Sequence, residues 1–127
     1  MRSIHDVVCR PDAPELRERP LLGPSEAARM ARVFKVLAND TRLRLLHALA
    51  REGESCLTDL AATVGMKPQA VSNQLQRLVD RGILGSRRAG NHVFYRVIDP
   101  CVTSLLDLGF CVTETLRVEV TERDGEG

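Results

Sequence analysis

From residue 25 onward, apolar residues recur with helical spacing. Ala27, Met30, Ala31, Phe34, Leu37 and Ala38 predict a first helix, with Ser25 placed to cap it. Asn39-Asp40 interrupts it, and Asp40 is expected to cap a second helix. That helix has a stripe of Leu43, Leu46, Leu49 and Ala50 and ends at Gly53. A short helix follows from about Ser55-Cys56, burying Leu57, Leu60 and Ala61 and stopping at Gly65. Met66-Lys67 makes a tight turn. Pro68, which has no N–H to satisfy, opens a helix that runs to about Arg81 and is ended by Gly82. The pattern then changes to strands. Ile83–Arg88 and His92–Ile98 flank Ala89-Gly90-Asn91 as a hairpin. Asp99-Pro100 opens a last helix with the stripe Val102, Leu105, Leu106, Gly109 and Val112.

This order predicts a mainly α fold with a β-hairpin wing, a winged helix-turn-helix. Three regions are expected: an arm over residues 1–24, a DNA-binding and dimerisation domain over 25–116, and an acidic tail over 117–127. The arm holds four of the six prolines and is expected to be mobile, with a short helical piece near Glu15–Glu18. At 127 residues the chain suits one domain. Its 43% apolar content excludes a disordered chain, and 3% aromatics without Trp make the core aliphatic. The same scarcity argues against a base-stacking platform for single strands. No apolar run approaches the roughly 18 residues of a membrane span. The N-terminus lacks the long apolar stretch of a secretory signal. The expectation is a cytoplasmic protein with neither a membrane nor a small organic substrate as partner.

Charge sharpens this picture. The net charge is +1, yet residues 67–96 hold six basic residues against one acidic, and residues 97–127 hold two against seven. A basic middle suits a polyanion. Within it, Gln69, Ser72, Asn73 and Gln76 share one face of the predicted helix, while Val71, Leu75 and Leu78 share a roughly opposite one. Gln and Asn grip adenine edges bidentately, and Ser reaches either base type. Lys67 stands at the helix start for a phosphate, and Gln74 flanks the face for another. Arg87, Arg88, His92 and Arg96 on the wing suit backbone or minor-groove contact. So small a reading head makes few contacts, so a homodimer on a two-fold symmetric duplex is the natural geometry.

Cys9, Cys56, Cys101 and Cys111 are the four cysteines, with no Cys-x-x-Cys pair among them. Disulfides are rare in the expected compartment, and soft thiolates select soft metals. Cys56 begins the short helix, where the helix dipole favours thiolate, and Asp59 follows on the same face. With His5 and Cys9 of the arm, these residues compose one candidate N/S/O site. Cys101 and Cys111 lie on one helix about 15 Å apart in rise and about 80° apart in angle, too far to share an ion within a chain. Two antiparallel copies of that helix bring Cys101 of one toward Cys111 of the other, with Asp99 and Glu114 nearby. The plain alternative is that these thiols are buried packing groups or incidental.

The residues resemble the ArsR/SmtB family of winged-helix metal-sensing repressors over about 25–116. VFKVLANDTRLRLLHALA resembles the family's second-helix signature, ESCLTDLAATVGMKPQAVSNQLQRLVDRGIL its metal-box and recognition-helix block, and GNHVFYRVID its wing. The resemblance implies a repressor of a metal-resistance operon that leaves DNA when metal binds, with the first and last helices forming the dimer interface. Cys56 and Asp59 match the Cys-x-x-Asp of cadmium/lead-type members, although Thr58 stands where a second Cys occurs. His5-x-x-x-Cys9 resembles the arm pair with His replacing one Cys. Asp99-x-Cys101 and Cys111-x-x-Glu114 resemble the zinc-type ligands, with both His replaced by Cys and the spacing one residue short. Thiolate for imidazole moves the expected inducer from Zn(II) toward Hg(II), Cd(II) or Pb(II), with As(III) behind them. The family's mercury-resistance members fit the Arg-rich composition. The alternative is a thiol-redox or persulfide sensor on the same scaffold; a constitutive DNA-binding protein is a further rival. His5, His47 and His92 are scattered and no nucleophile–base pattern occurs, so no enzyme is expected.

Overall fold

The computed structural model describes the backbone of residues 12–126 and the side chains of residues 12–116. After an exposed 3-10 turn at Leu16–Glu18 the chain enters α1, Pro24–Leu37. Proline's fixed φ and missing N–H suit a first helical position, so Gly23 rather than Ser25 is the N-cap. Of the α1 stripe only Leu37 is buried; Met30 and Phe34 stay about half exposed, at 46% and 48%. The α1 pattern is therefore amphipathic, and nothing among the described residues covers it.

Helix α2 is Asp40–Glu52. Its N-cap is Asn39, whose Oδ1 accepts from the Arg42 N–H at 3.0 Å. Asp40, expected as the cap, is the first helical residue, and its Oδ1 accepts from the Thr41 N–H. Leu45, Leu46 and Leu49 are fully buried, whereas Leu43 and Ala50 are exposed. The leucines at 43, 45, 46 and 49 admit two helical stripes. The side of α2 facing α3, α4 and β3 selects the one containing Leu45.

Ser55–Cys56 forms β1, a two-residue strand rather than the first turn of a helix. Helix α3, Leu57–Val64, buries Leu60, Ala61 and Val64. Gly65 closes it at φ +68°, a left-handed conformation that side chains with a Cβ resist. Helix α4, Pro68–Asp80, begins with proline at its first position, and its Val71, Leu75 and Leu78 have no exposed surface. Strands β2, Leu84–Ala89, and β3, His92–Val97, pair antiparallel around Gly90-Asn91, with Ala89 in the strand opposite His92. Strand β1 pairs with the other edge of β3, giving the order β1-β3-β2.

Helix α5, Pro100–Glu126, opens with Asp99 Oδ1 accepting from the Cys101 N–H at 2.9 Å. Of its stripe, Val102 is buried, Leu105 and Leu106 are half-buried, and Gly109 and Val112 are exposed. It contacts α2 and β3. The core is thus one aliphatic cluster of α2, α3 and α4, closed by Ile83, Leu84 and Tyr95 from the wing and Val102 from α5.

Candidate nucleic-acid interface

Helix α4 is held by its apolar side, so its other side must face out. Gln69, Asn73 and Gln76 are exposed there, and Ser72 is half-buried. Gln69 Nε2 donates to Asn73 Oδ1 at 3.2 Å, and Gln76 Nε2 to Asp80 Oδ1 at 2.8 Å. These i,i+4 pairs stiffen an amide-lined ridge. Lys67, exposed, is the N-cap residue where the α3–α4 turn enters that ridge. The structure therefore brings Lys67, Gln69, Ser72, Asn73 and Gln76 onto one element.

Gln74 is placed differently from the phosphate-facing position expected of it. It is half-buried, and its Oε1 accepts from Arg42 Nε at 2.8 Å. The same guanidinium donates through Nη1 to the Val36 carbonyl at 2.9 Å. Arg42 thus ties the last turn of α1 and the start of α2 to the middle of α4. Sequence reasoning missed this residue. Its one-dimensional signal is a polar residue at the edge of an apolar stripe, which is indistinguishable from a solvated arginine.

On the wing, Arg88, His92 and Arg96 are exposed. His92 sets its ring against Phe94, with centroids 6.4 Å apart. Arg87, also exposed, is already engaged by an acid of the same chain. Its Nε and Nη2 reach the two carboxylate oxygens of Glu54 at 3.0 and 2.6 Å, and its guanidinium lies 4.7 Å from the Phe94 ring centroid. Hydrogen bonding to Arg87 holds the Glu54 carboxyl below the usual carboxylate range, and Glu54 raises Arg87 in turn. Glu54 was also not legible in the sequence, because the pair exists only once β1 is laid beside β3.

The three described cysteines lie on separate parts of the fold. Cys56 is 7% exposed, with Sγ 3.3 Å from Thr58 Oγ1, while Asp59 is exposed on α3. Cys56 ends β1 and is the N-cap residue of α3. His5 and Cys9 lie outside the described residues. Cys101 is half-buried and disulfide-bonded. Cys111 is an exposed free thiol on α5, beside Val112, Thr115 and Leu116. Among the described residues no three His, Cys, Asp or Glu side chains converge as a metal site. His47 packs on Phe110, with ring centroids 5.1 Å apart, bracing α2 against α5.

A tri-helical core presenting one polar recognition helix, flanked by a basic β-wing, defines a winged helix-turn-helix DNA-binding protein. The helix-turn-helix domain family matches residues 37–87. The crystal structure of the AntR antimony-specific transcriptional repressor is 59% identical, covering 87% of this chain and 98% of that one, with a TM-score of 0.73. The HTH-type transcriptional regulator NmtR of Mycobacterium tuberculosis is 36% identical over 114 residues, 90% of this chain and 88% of that protein. A homodimeric winged helix-turn-helix domain from Mycobacterium bovis, of a possible ArsR-family regulator, is 31% identical with a TM-score of 0.65, covering 82% of this chain and 94% of that one. The chain belongs to the ArsR/SmtB family of winged helix-turn-helix metal-responsive transcriptional regulators. These are regulators rather than enzymes. No helix of the described residues is long and apolar enough to cross a membrane.

Proposed function

We propose that this protein is a homodimeric repressor that holds operator DNA and releases it when a thiophilic heavy ion binds between the two copies of α5. The observation that carries the ion site is Cys111, a free exposed thiol on α5 among the exposed apolar residues Phe110, Val112 and Leu116. Met30, Val33 and Phe34 of α1 and Phe110, Val112 and Leu116 of α5 are all exposed at 44–54%. An apolar groove of about 390 Å³ runs between α1, α2 and α5. Exposed apolar surface of this extent marks an association site, and the homodimeric relative supports a second copy as its occupant. Two antiparallel α5 helices bring Cys111 of one protomer toward Cys101 of the other, once Cys101 is reduced, with Asp99 and Glu114 at hand. The Cys56–Asp59 pair with His5 and Cys9 is the less favoured site, since Cys56 is buried against Thr58.

On DNA, Gln69, Ser72, Asn73 and Gln76 read base edges, while Lys67, Arg88, His92 and Arg96 contact the backbone, joined by Arg87 when it leaves Glu54. Two sulfurs with few nitrogen ligands suit soft ions. Sb(III) is our first candidate, supported by kinship with an antimony-specific repressor, ahead of Hg(II), Cd(II) and Pb(II), with As(III) and Zn(II) behind. For 100-fold release the ion must favour the weakly binding dimer by about 2.7 kcal/mol.

The test is fluorescence anisotropy of the reduced protein on a duplex from its own promoter, titrated with each ion. The expected result is release by at least one soft ion and loss of release in Cys111→Ser with DNA affinity retained. Release by none refutes the metal reading. A second reading, a thiol-redox sensor, is favoured by the disulfide at Cys101. It expects release by oxidant alone with no response to any ion.

A further inference from the structure

The sheet order places β3 between β1 and β2, so Glu54, immediately before β1, and Arg87, on β2, stand at opposite edges. Arg87 is opposite Phe94, which is opposite Cys56, so these side chains share one face of the sheet. Arg87 crosses that face over the Phe94 ring and ends in a two-pronged contact with Glu54. The guanidinium fork that matches two carboxylate oxygens matches two phosphate oxygens equally well. Both partners remain open to water, with 50% of the Arg87 side chain and 31% of the Glu54 side chain exposed. A DNA backbone reaching the wing would therefore find its arginine already occupied by an internal acid.

We propose that Glu54 is an internal competitor for Arg87, setting the DNA affinity of the wing by holding the guanidinium until a phosphate displaces it. This rests on the wing contacting DNA as proposed above. The arrangement adds no base information, since a phosphate contact is the same at every sequence. It lowers affinity for all duplexes, which favours search and prompt release over tight non-specific residence.

The experiment measures anisotropy of the full-length protein on its promoter duplex and on a mixed-sequence duplex over a salt series. The variants are Glu54→Gln, Glu54→Asp, Arg87→Ala and the Glu54→Gln/Arg87→Ala double variant. Glu54→Gln is expected to tighten binding to both duplexes by roughly threefold at low salt, the scale of an exposed ion pair. Its salt slope should steepen by up to about 0.9, the value of one added phosphate contact. Glu54→Asp keeps the charge but shortens the reach, so a smaller tightening is expected; it also serves if Glu54→Gln does not fold. In the Arg87→Ala background Glu54→Gln should change nothing. Equal tightening in that background identifies a general charge effect and overturns the proposal. Unchanged or weaker binding by Glu54→Gln and Glu54→Asp overturns it too, leaving the pair a structural latch. Wild-type protein that binds neither duplex instead refutes the DNA-binding reading on which the proposal stands.

Discussion

Truncating Arg42 should loosen the recognition helix without touching its outward face. Arg42→Ala deletes two charge-assisted hydrogen bonds, from Nε to Gln74 Oε1 at 2.8 Å and from Nη1 to the Val36 carbonyl at 2.9 Å. The main-chain bond to the Asn39 cap survives, because it uses the Arg42 amide. Hydrogen bonds to a charged group contribute about 1.5–3 kcal/mol each when both partners stay dry. Here the groups are only part-buried, and water can reach Gln74 and Val36 after truncation, so the two together are worth about 2 kcal/mol. Urea unfolding at fixed protein concentration measures this, the fixed concentration being needed for an associating chain. Gln74→Ala alone should cost about 1 kcal/mol, and the double variant should fall short of the sum by about the same amount. Arg42→Lys should recover at most one of the two contacts, since a single ammonium lacks the fork geometry. Costs that add to within about 0.5 kcal/mol would refute the coupling between α2 and α4. So would a stability loss confined to Gln74→Ala.

Four further outcomes follow from other parts of the molecule. Leu75→Ala, at a site with no exposed surface, should destabilise the fold by about 2–5 kcal/mol in the same unfolding assay. Gly65→Ala should cost about 1 kcal/mol or more purely through backbone conformation, since φ is +68° and nothing lies within 4 Å of the added methyl; a neutral melt would contradict this. Arg87 lowers the Glu54 pKa, so the pair stabilises the protein above the ordinary carboxylate pKa, and this contribution disappears as pH falls through the depressed value. Thermal melts of wild type and Glu54→Gln should therefore differ at neutral pH and converge in acid. Gln69→Ala should cost about 1–3 kcal/mol of base discrimination, whereas Arg88→Ala should weaken every duplex alike and reduce the salt slope by about 1; equal losses on promoter and random DNA for Gln69→Ala would contradict the division of roles.

Much of the fold was legible because its signals are local. Pro68 at a helix start, Gly65 and Gly82 at helix ends and the Gly90-Asn91 turn each act through their own backbone preferences. The amide ridge of α4 was legible for the same reason, since helical periodicity alone sets Gln69, Asn73 and Gln76 opposite Val71, Leu75 and Leu78. Where two local answers compete, sequence was a poorer guide. Asn39 and Asp40 are both good caps, and only the observed Asn39-to-Arg42 bond separates them. Leu43 and Leu45 are equally apolar, and which is buried depends on where α3 and β3 sit.

The chain alone determined the order of the five helices and the hairpin, the polar ridge and the basic wing, because each needs only periodicity, turn chemistry and charge within a few residues. Tertiary structure decided what those parts are attached to. A two-residue β1 has no pattern of its own and exists because β3 offers it hydrogen bonds. Residues 42 and 74, or 54 and 87, become partners only when packing brings separate elements within the few ångströms over which a hydrogen bond acts.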